Sequence, residues 1–158
     1  MNRGKTFFIL GKSRIGNRSA SFTGKQLPGE TAIETAAREF AEESLGVILS
    51  QREMLDCLQT VREDRTITAL TPTGKTCYTY LVEVPYSHTY VETFKRVRGL
   101  LESQGVLTYN LAEMIELRMV TSDYMITSVK RAWTTSGLIR SPEAWAKIES
   151  VSKSWRSH

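Results

Sequence analysis

Gly24-Lys25-Gln26-Leu27-Pro28-Gly29-Glu30-Thr31-Ala32-Ile33-Glu34-Thr35-Ala36-Ala37-Arg38-Glu39-Phe40-Ala41-Glu42-Glu43-Ser44-Leu45-Gly46 is the stretch on which the reading of this chain turns. Pro28-Gly29 marks a turn, and the pattern behind it predicts a helix over Thr31 to Leu45. Thr31 can cap that helix, Glu34 lies three residues on in the capping-box position, and Gly46 supplies the stop. Ala36, Ala37, Phe40 and Ala41 provide an apolar side to pack inward. Glu39 and Glu43 are four residues apart and Glu39 and Glu42 three, so three carboxylates project from neighbouring positions of one face. Like charges at those spacings destabilise a helix by about 0.2–0.5 kcal/mol per pair. A hard cation with oxygen ligands relieves that repulsion, and an all-carboxylate set suits Mg²⁺ or Mn²⁺ over zinc. The alternative is an acidic stripe facing solvent and steadied by Arg38.

What favours the metal reading is the spacing of the whole stretch. Gly24, Glu30, Arg38, Glu39, Phe40, Glu42 and Glu43 stand at the offsets of the Nudix box, and Gly24 to Gly46 resembles that motif. Six fixed glycine or polar matches arise by chance in roughly one such chain in a hundred thousand. Two departures are visible. Ser44-Leu45 separates Glu43 from Gly46, one residue more than the motif has, which is expected to lengthen the helix and leave the carboxylate register untouched. Thr23 precedes Gly24 where the family usually has a second glycine.

The resemblance implies an α/β (α+β) fold, the family's α/β/α sandwich with a mixed β-sheet, in which Phe7 to Ser13 is the strand before the box and Glu116 to Val120 a late strand. It implies a metal-dependent hydrolase cleaving the diphosphate linkage of a nucleoside diphosphate joined to another group. Glu39, Glu42 and Glu43 would hold Mg²⁺ or Mn²⁺, Arg38 would orient them, and Glu30 would brace the loop. Gly24, Lys25 and Lys12 are the residues expected against the substrate. The family varies in its general base, and Glu83, Glu113 and Glu116 are the candidates outside the box. Dimers are common among relatives, so a homodimer is an expected state.

Outward from the box, Thr6 to Leu10 reads as a strand, with a short one around Ala20 to Thr23. Val47 to Leu49 and Met54 to Val61 read as strand material. Thr66 to Leu70 and Thr76 to Val84 read as a strand pair joined by Thr71-Pro72-Thr73-Gly74-Lys75. Tyr90 to Ser103 reads as a helix, Ile115 to Val120 as a strand, and Ser122 to Ala132 as a helix capped by its serine. Pro142 sits just inside a last helix whose Trp145, Ile148, Val151 and Trp155 form an apolar stripe. The mixture points to a single domain over 1–158 with a basic helical region at about 122–158.

Composition bounds the rest. The chain has 158 residues, 41% of them hydrophobic and 24% charged, as in an ordinary globular domain. Two cysteines exclude a disulfide scaffold or a four-cysteine zinc site, and two histidines exclude a histidine-rich centre. Apolar runs are too short for a membrane span, so the expectation is a soluble cytoplasmic protein. From Ser128 onward Lys130, Arg131, Arg140, Lys147, Lys153 and Arg156 face only Glu143 and Glu149, which accounts for the whole net charge of +4. That basic end motivates a rival reading, removal of the cap from messenger RNA. A third reading is a nucleotide- or RNA-binding module that does not cleave. Lys12, Arg14 and Arg18 can meet phosphates or water, and Phe22, Tyr78, Tyr80 and Tyr86 can stack on a base or simply pack.

Overall fold

The computed structural model describes residues 6–16, 18–70 and 73–156, with backbone only for 70 and 152–156. It is a mixed α and β chain in which two small antiparallel sheets accompany the helices. Residues divide into two compact units, Met1–Phe8, Val61–Val82 and Val120–His158 in one, Ile9–Thr60 and Glu83–Met119 in the other. No described helix is long and apolar enough to cross a membrane.

The second of these units carries the acidic helix. β1 (Phe7–Ser13) pairs antiparallel with β2 (Ser19–Ala20), matching Gly11 with Ala20 and Lys12 with Ser19. Strand β1 has the Phe7 to Ser13 bounds that the resemblance implies and runs past the Leu10 at which the residue pattern ends it; at Gly11 a Cβ would collide with Met114 Sδ. The next strand of that sheet, β5 (Met114–Thr121), lies on the other side of β1. Its direction follows from two flanking bonds, Arg14 N–H to Glu113 O at 3.0 Å and Ser122 N–H to Thr6 O at 3.1 Å, which make it antiparallel to β1.

Helix α1 (Ala32–Glu43) begins as the sequence predicts, with Thr31 and Glu34 forming a reciprocal capping box. It ends earlier than predicted. The extra residue does not lengthen it: Ser44 closes the helix, and Leu45 takes φ 56° with Gly46 following at 68°. The Gly46 N–H then reaches back to Ala41 O at 2.9 Å, which satisfies a terminal carbonyl. Val47 to Leu49, predicted as strand, is instead irregular chain after this turn, with Ile48 buried.

Met54 to Val61, also read as strand, is a helix: α2 (Gln51–Gln59), capped by a second reciprocal box of Ser50 and Glu53. Met54 and Leu58, one turn apart, are its buried residues, and α2 packs on α1. Helix α3 (Tyr90–Ser103) has its predicted bounds. Arg98 ties it to the start of β5 by donating to Met114 O at 3.0 Å. The core gathers Ile48, Tyr90, Phe94, Met114 and Leu117, with Ile9, Phe22, Phe40 and Val84 against it.

In the first unit, β3 (Thr66–Leu70) and β4 (Thr76–Tyr80) pair from Thr66 opposite Tyr80 to Leu70 opposite Thr76. Strand β4 stops before Leu81, short of the predicted Val84, and Thr71-Pro72 of the predicted turn lies outside the described residues. After β5, Thr121 caps the next helix, a role the sequence assigned to Ser122. That helix runs through α4 (Ser122–Tyr124), a π-helical stretch (Met125–Val129) and α5 (Lys130–Ser136) to Gly137 at φ 83°. Helix α6 (Pro142–Arg156) follows with proline at its first position. Trp145, Ile148 and Val151 are buried as predicted, and Trp145 meets Trp133 at 6.1 Å between ring centres. The side chain of Trp155 lies outside the described residues, as do those of Lys153 and Arg156.

Candidate active site

The loop before α1 and the helix itself are locked together by Arg38. Its guanidinium forks onto Glu30, Nε to Oε2 at 2.8 Å and a terminal nitrogen to Oε1 at 3.1 Å. The same group donates to Glu39 Oε1 at 2.8 Å and to the Lys25 carbonyl at 3.0 Å, and stands 3.5 Å from Glu42. A planar fork of five donors makes this spread possible, and lysine could not reproduce it. Glu30 Oε1 further accepts from Leu27 N–H at 2.9 Å and Thr35 Oγ1 at 3.0 Å. Its carboxyl is held down at about 2, first by Arg38 and then by the Leu27 N–H. Arg38 is correspondingly pushed above its ordinary value, chiefly by Glu30.

Gly24 is required by space, not by backbone angle. A Cβ at this position would fall 1.9 Å from Glu39 Cδ and 2.1 Å from Oε1, inside the carboxylate. The loop backbone therefore lies against Glu39, whose own carboxyl is raised by burial against the pull of Arg38.

Glu43 is the most displaced group of the site. It is 2% exposed, and its Oε1 has no hydrogen-bond partner. Burial, then a hydrogen bond to Glu113 and the charges of Glu113 and Glu39, push it up to about 9, while the Thr23 backbone bond pulls the other way. Glu43 thus carries a proton at neutral pH, in the hydrogen bond with Glu113. Glu113 sits in the irregular loop before β5, and no local pattern in the sequence distinguishes it from Glu83 or Glu116. Those two are placed elsewhere: Glu83 is exposed, and Glu116 pairs with Arg118 at 3.1 Å and Lys12 at 3.8 Å.

The predicted set therefore comes together in part. Glu30, Arg38, Glu39, Glu42 and Glu43 form one connected group with Gly24 beside it, and Glu113 joins them. Lys25 contributes its carbonyl and leaves an exposed side chain, whereas Lys12 lies on β1 against Glu116. Phe22 is no stacking surface, because its ring packs edge-on against Phe40 at 5.0 Å within the core.

Carboxylates on one helix, with the buried Glu43 Oε1 left without a partner, match a hard divalent cation in donor type. Among the described residues, no group of three or more His, Cys, Asp or Glu is already gathered to hold one. The donors are of the right kind, and Glu43 must first give up its proton to serve. Compared with protein-family models, curated proteins and solved structures, the chain matches none.

Proposed function

We propose that this chain is a Nudix-type hydrolase that cleaves the diphosphate linkage of a nucleoside diphosphate joined to another group. The observation that carries the reading is Glu43, buried on the helix that also carries Glu39 and Glu42, hydrogen-bonded to Glu113 and unpartnered at Oε1. A purely structural acidic helix has no reason to bury an unpaired carboxyl oxygen. The family's α/β/α sandwich belongs to the same proposal, supported by Phe40 of α1 and Phe94 of α3 packing with Ile9 and Leu117 of the sheet.

Mg²⁺ or Mn²⁺, held by Glu39, Glu42 and Glu43, would supply positive charge to the diphosphate oxygens and acidify the attacking water. Arg38 fixes Glu39 and Glu42 in place, and Glu30 fixes Arg38. Glu113, hydrogen-bonded to Glu43, is the one of the three candidate bases outside the box that reaches the carboxylates, whereas Glu83 is exposed and Glu116 pairs with Arg118 and Lys12. A free nucleotide is favoured over capped RNA because Lys147 of the basic end is engaged within its own unit. Its ammonium donates to the Thr66 carbonyl at 2.8 Å.

The test is a hydrolysis panel with Mg²⁺ and Mn²⁺ over nucleoside triphosphates, ADP-ribose, NADH, dinucleoside polyphosphates and capped RNA. Turnover of at least one, reduced about a hundredfold or more by Glu43→Gln, supports the reading. No turnover of any of them with either metal overturns it. One observation favours a second reading, a module that holds nucleotides without cleaving them: no three acidic groups are gathered for an ion among the described residues. Tight nucleotide binding with no turnover is the result that selects it.

A further inference from the structure

A second group of side chains lies in the same unit as the carboxylates, at the turn after β1 and the loop before β5. The Arg14 guanidinium sits 4.0 Å from the centre of the Tyr109 ring, and that ring is 70% exposed. The Arg14 N–H donates to Glu113 O at 3.0 Å, so the pair is anchored to the residue whose side chain meets Glu43. The Ala112 N–H closes a turn onto Thr108 O at 3.0 Å, and Tyr109 lies within that turn, ahead of Glu113.

Cations continue from Arg14 along the sheet. Lys12 stands opposite Ser19 in the β1–β2 register, and Arg118 on β5 donates to Ser19 Oγ at 2.8 Å. Both cations share one carboxylate, Glu116. Arg18 folds over Gly16 in the connecting turn, where a Cβ would lie 3.3 Å from its Nε. The result is an exposed aromatic ring at the end of a strip of four cations, with one acid shared between two of them.

We propose that this face binds a nucleotide, with its base stacked on Tyr109 and its phosphates among Arg14, Lys12 and Arg118. Every base has a π-face and every phosphate needs cations, so the chemistry is that of a nucleotide and not of an acidic peptide. Guanidiniums take phosphate oxygens in forked pairs, and Lys12 and Arg118 exchange Glu116 for them. Tyrosine loses little conformational freedom when a base lands on it, since only two side-chain angles have to be fixed. The inference is independent of the proposed function: Lys12 and Arg118 alternate along their strands with the Ile9 and Leu117 that pack on α1, so this face lies on the other side of the sheet from the carboxylates.

Calorimetry in EDTA, where no hydrolysis occurs, tests it with ADP, inorganic pyrophosphate and an oligoadenylate of about ten nucleotides, matched to the site size of a single-strand groove. Tyr109→Ala is expected to weaken ADP about 5- to 150-fold and to leave pyrophosphate unchanged, and Tyr109→Phe to restore ADP binding. Arg118→Gln is expected to weaken ADP and pyrophosphate alike. Oligoadenylate binding tighter than ADP and steeply salt-dependent assigns the face to an RNA chain, and ADP binding as tightly as the oligomer assigns it to a free nucleotide. Equal ADP affinity in wild type and Tyr109→Ala, with unchanged melting temperatures, overturns the inference, as does wild type that binds no ADP. Tyr109-dependent ADP binding without turnover of any substrate defeats the hydrolase reading alone.

Discussion

Replacing Glu43 by glutamine should make the metal-free protein more stable while it abolishes activity. The carboxyl is 2% exposed, lacks a partner at Oε1, and has its pKa moved from 4.5 to about 9 by burial and by Glu113. A raised carboxyl stabilises the fold fully below pH 4.5, where it is neutral in both states. That contribution erodes as pH rises, because the unfolded chain ionises freely and the folded chain does not, and it is gone above about 9. At pH 7 the erosion spans the interval above 4.5 at about 1.4 kcal/mol per unit, or about 3 kcal/mol. Glutamine never ionises, and its amide can donate to Glu113 as the protonated carboxyl does. In EDTA the variant should therefore exceed wild type by up to about 3 kcal/mol at pH 7, a melting shift of about 6–12 °C for a chain of this size. The difference should vanish near pH 4.5 and widen toward pH 9. Added Mg²⁺ or Mn²⁺ should raise the wild-type melting temperature more than the variant's. Parallel melting curves across that pH range would refute the assignment of a buried, proton-bearing Glu43.

Gly24→Ala forces a Cβ into the Glu39 carboxylate, so Glu39 must leave Arg38; thermal melts should show a loss of about 1–3 kcal/mol, and turnover should fall with it. Glu30 titrates in the opposite sense to Glu43. Its depressed carboxyl supports the fold above pH 4.5 and ceases to as pH falls through about 2, so Glu30→Gln should flatten the acid limb of the stability profile measured by denaturant titration. Ser50→Ala removes the cap of α2, and the midpoint of urea unfolding should report a loss of about 1 kcal/mol.

The sequence discloses an element where several local signals agree, and it misleads where one is read alone. At α1 the cap, the glutamate three residues on and the apolar side all point to a helix, and the start is found to the residue. Met54 to Val61 has strand-like apolar content, but Ser50 and Glu53 repeat the relation of Thr31 and Glu34, and Met54 and Leu58 are one helical turn apart. Those two signals outweigh composition. The overlong reading of Thr76 to Val84 fails for another reason: a 3-10 turn over Glu63–Arg65 precedes β3, so the pairing runs out with the Leu81 N–H on Arg65 O at 2.8 Å whatever the β-propensity beyond it.

The candidate site divides along the same line. Glu30, Arg38, Glu39 and Glu42 are joined by contacts within one loop and one helix, so their spacing in sequence already encodes their geometry. Glu113 enters from the loop before β5, and its approach depends on Arg98 holding α3 to that segment and on Arg14 holding Glu113 O. No spacing rule reports a meeting made by tertiary packing. The price of that meeting is concentrated in one turn, where Glu43 is buried with an unpartnered oxygen and Leu45 holds a left-handed conformation that disfavours any residue with a Cβ by about 1–2 kcal/mol. Stability sacrificed twice within three residues, beside a fully satisfied Arg38–Glu30 clamp, is the pattern expected where a fold holds reactive groups in place. Relieving the strain at Leu45 and the buried ionisable group at Glu43 would give a sturdier chain, and turnover measured in Glu43→Gln tests whether the proposed function needs the second of the two.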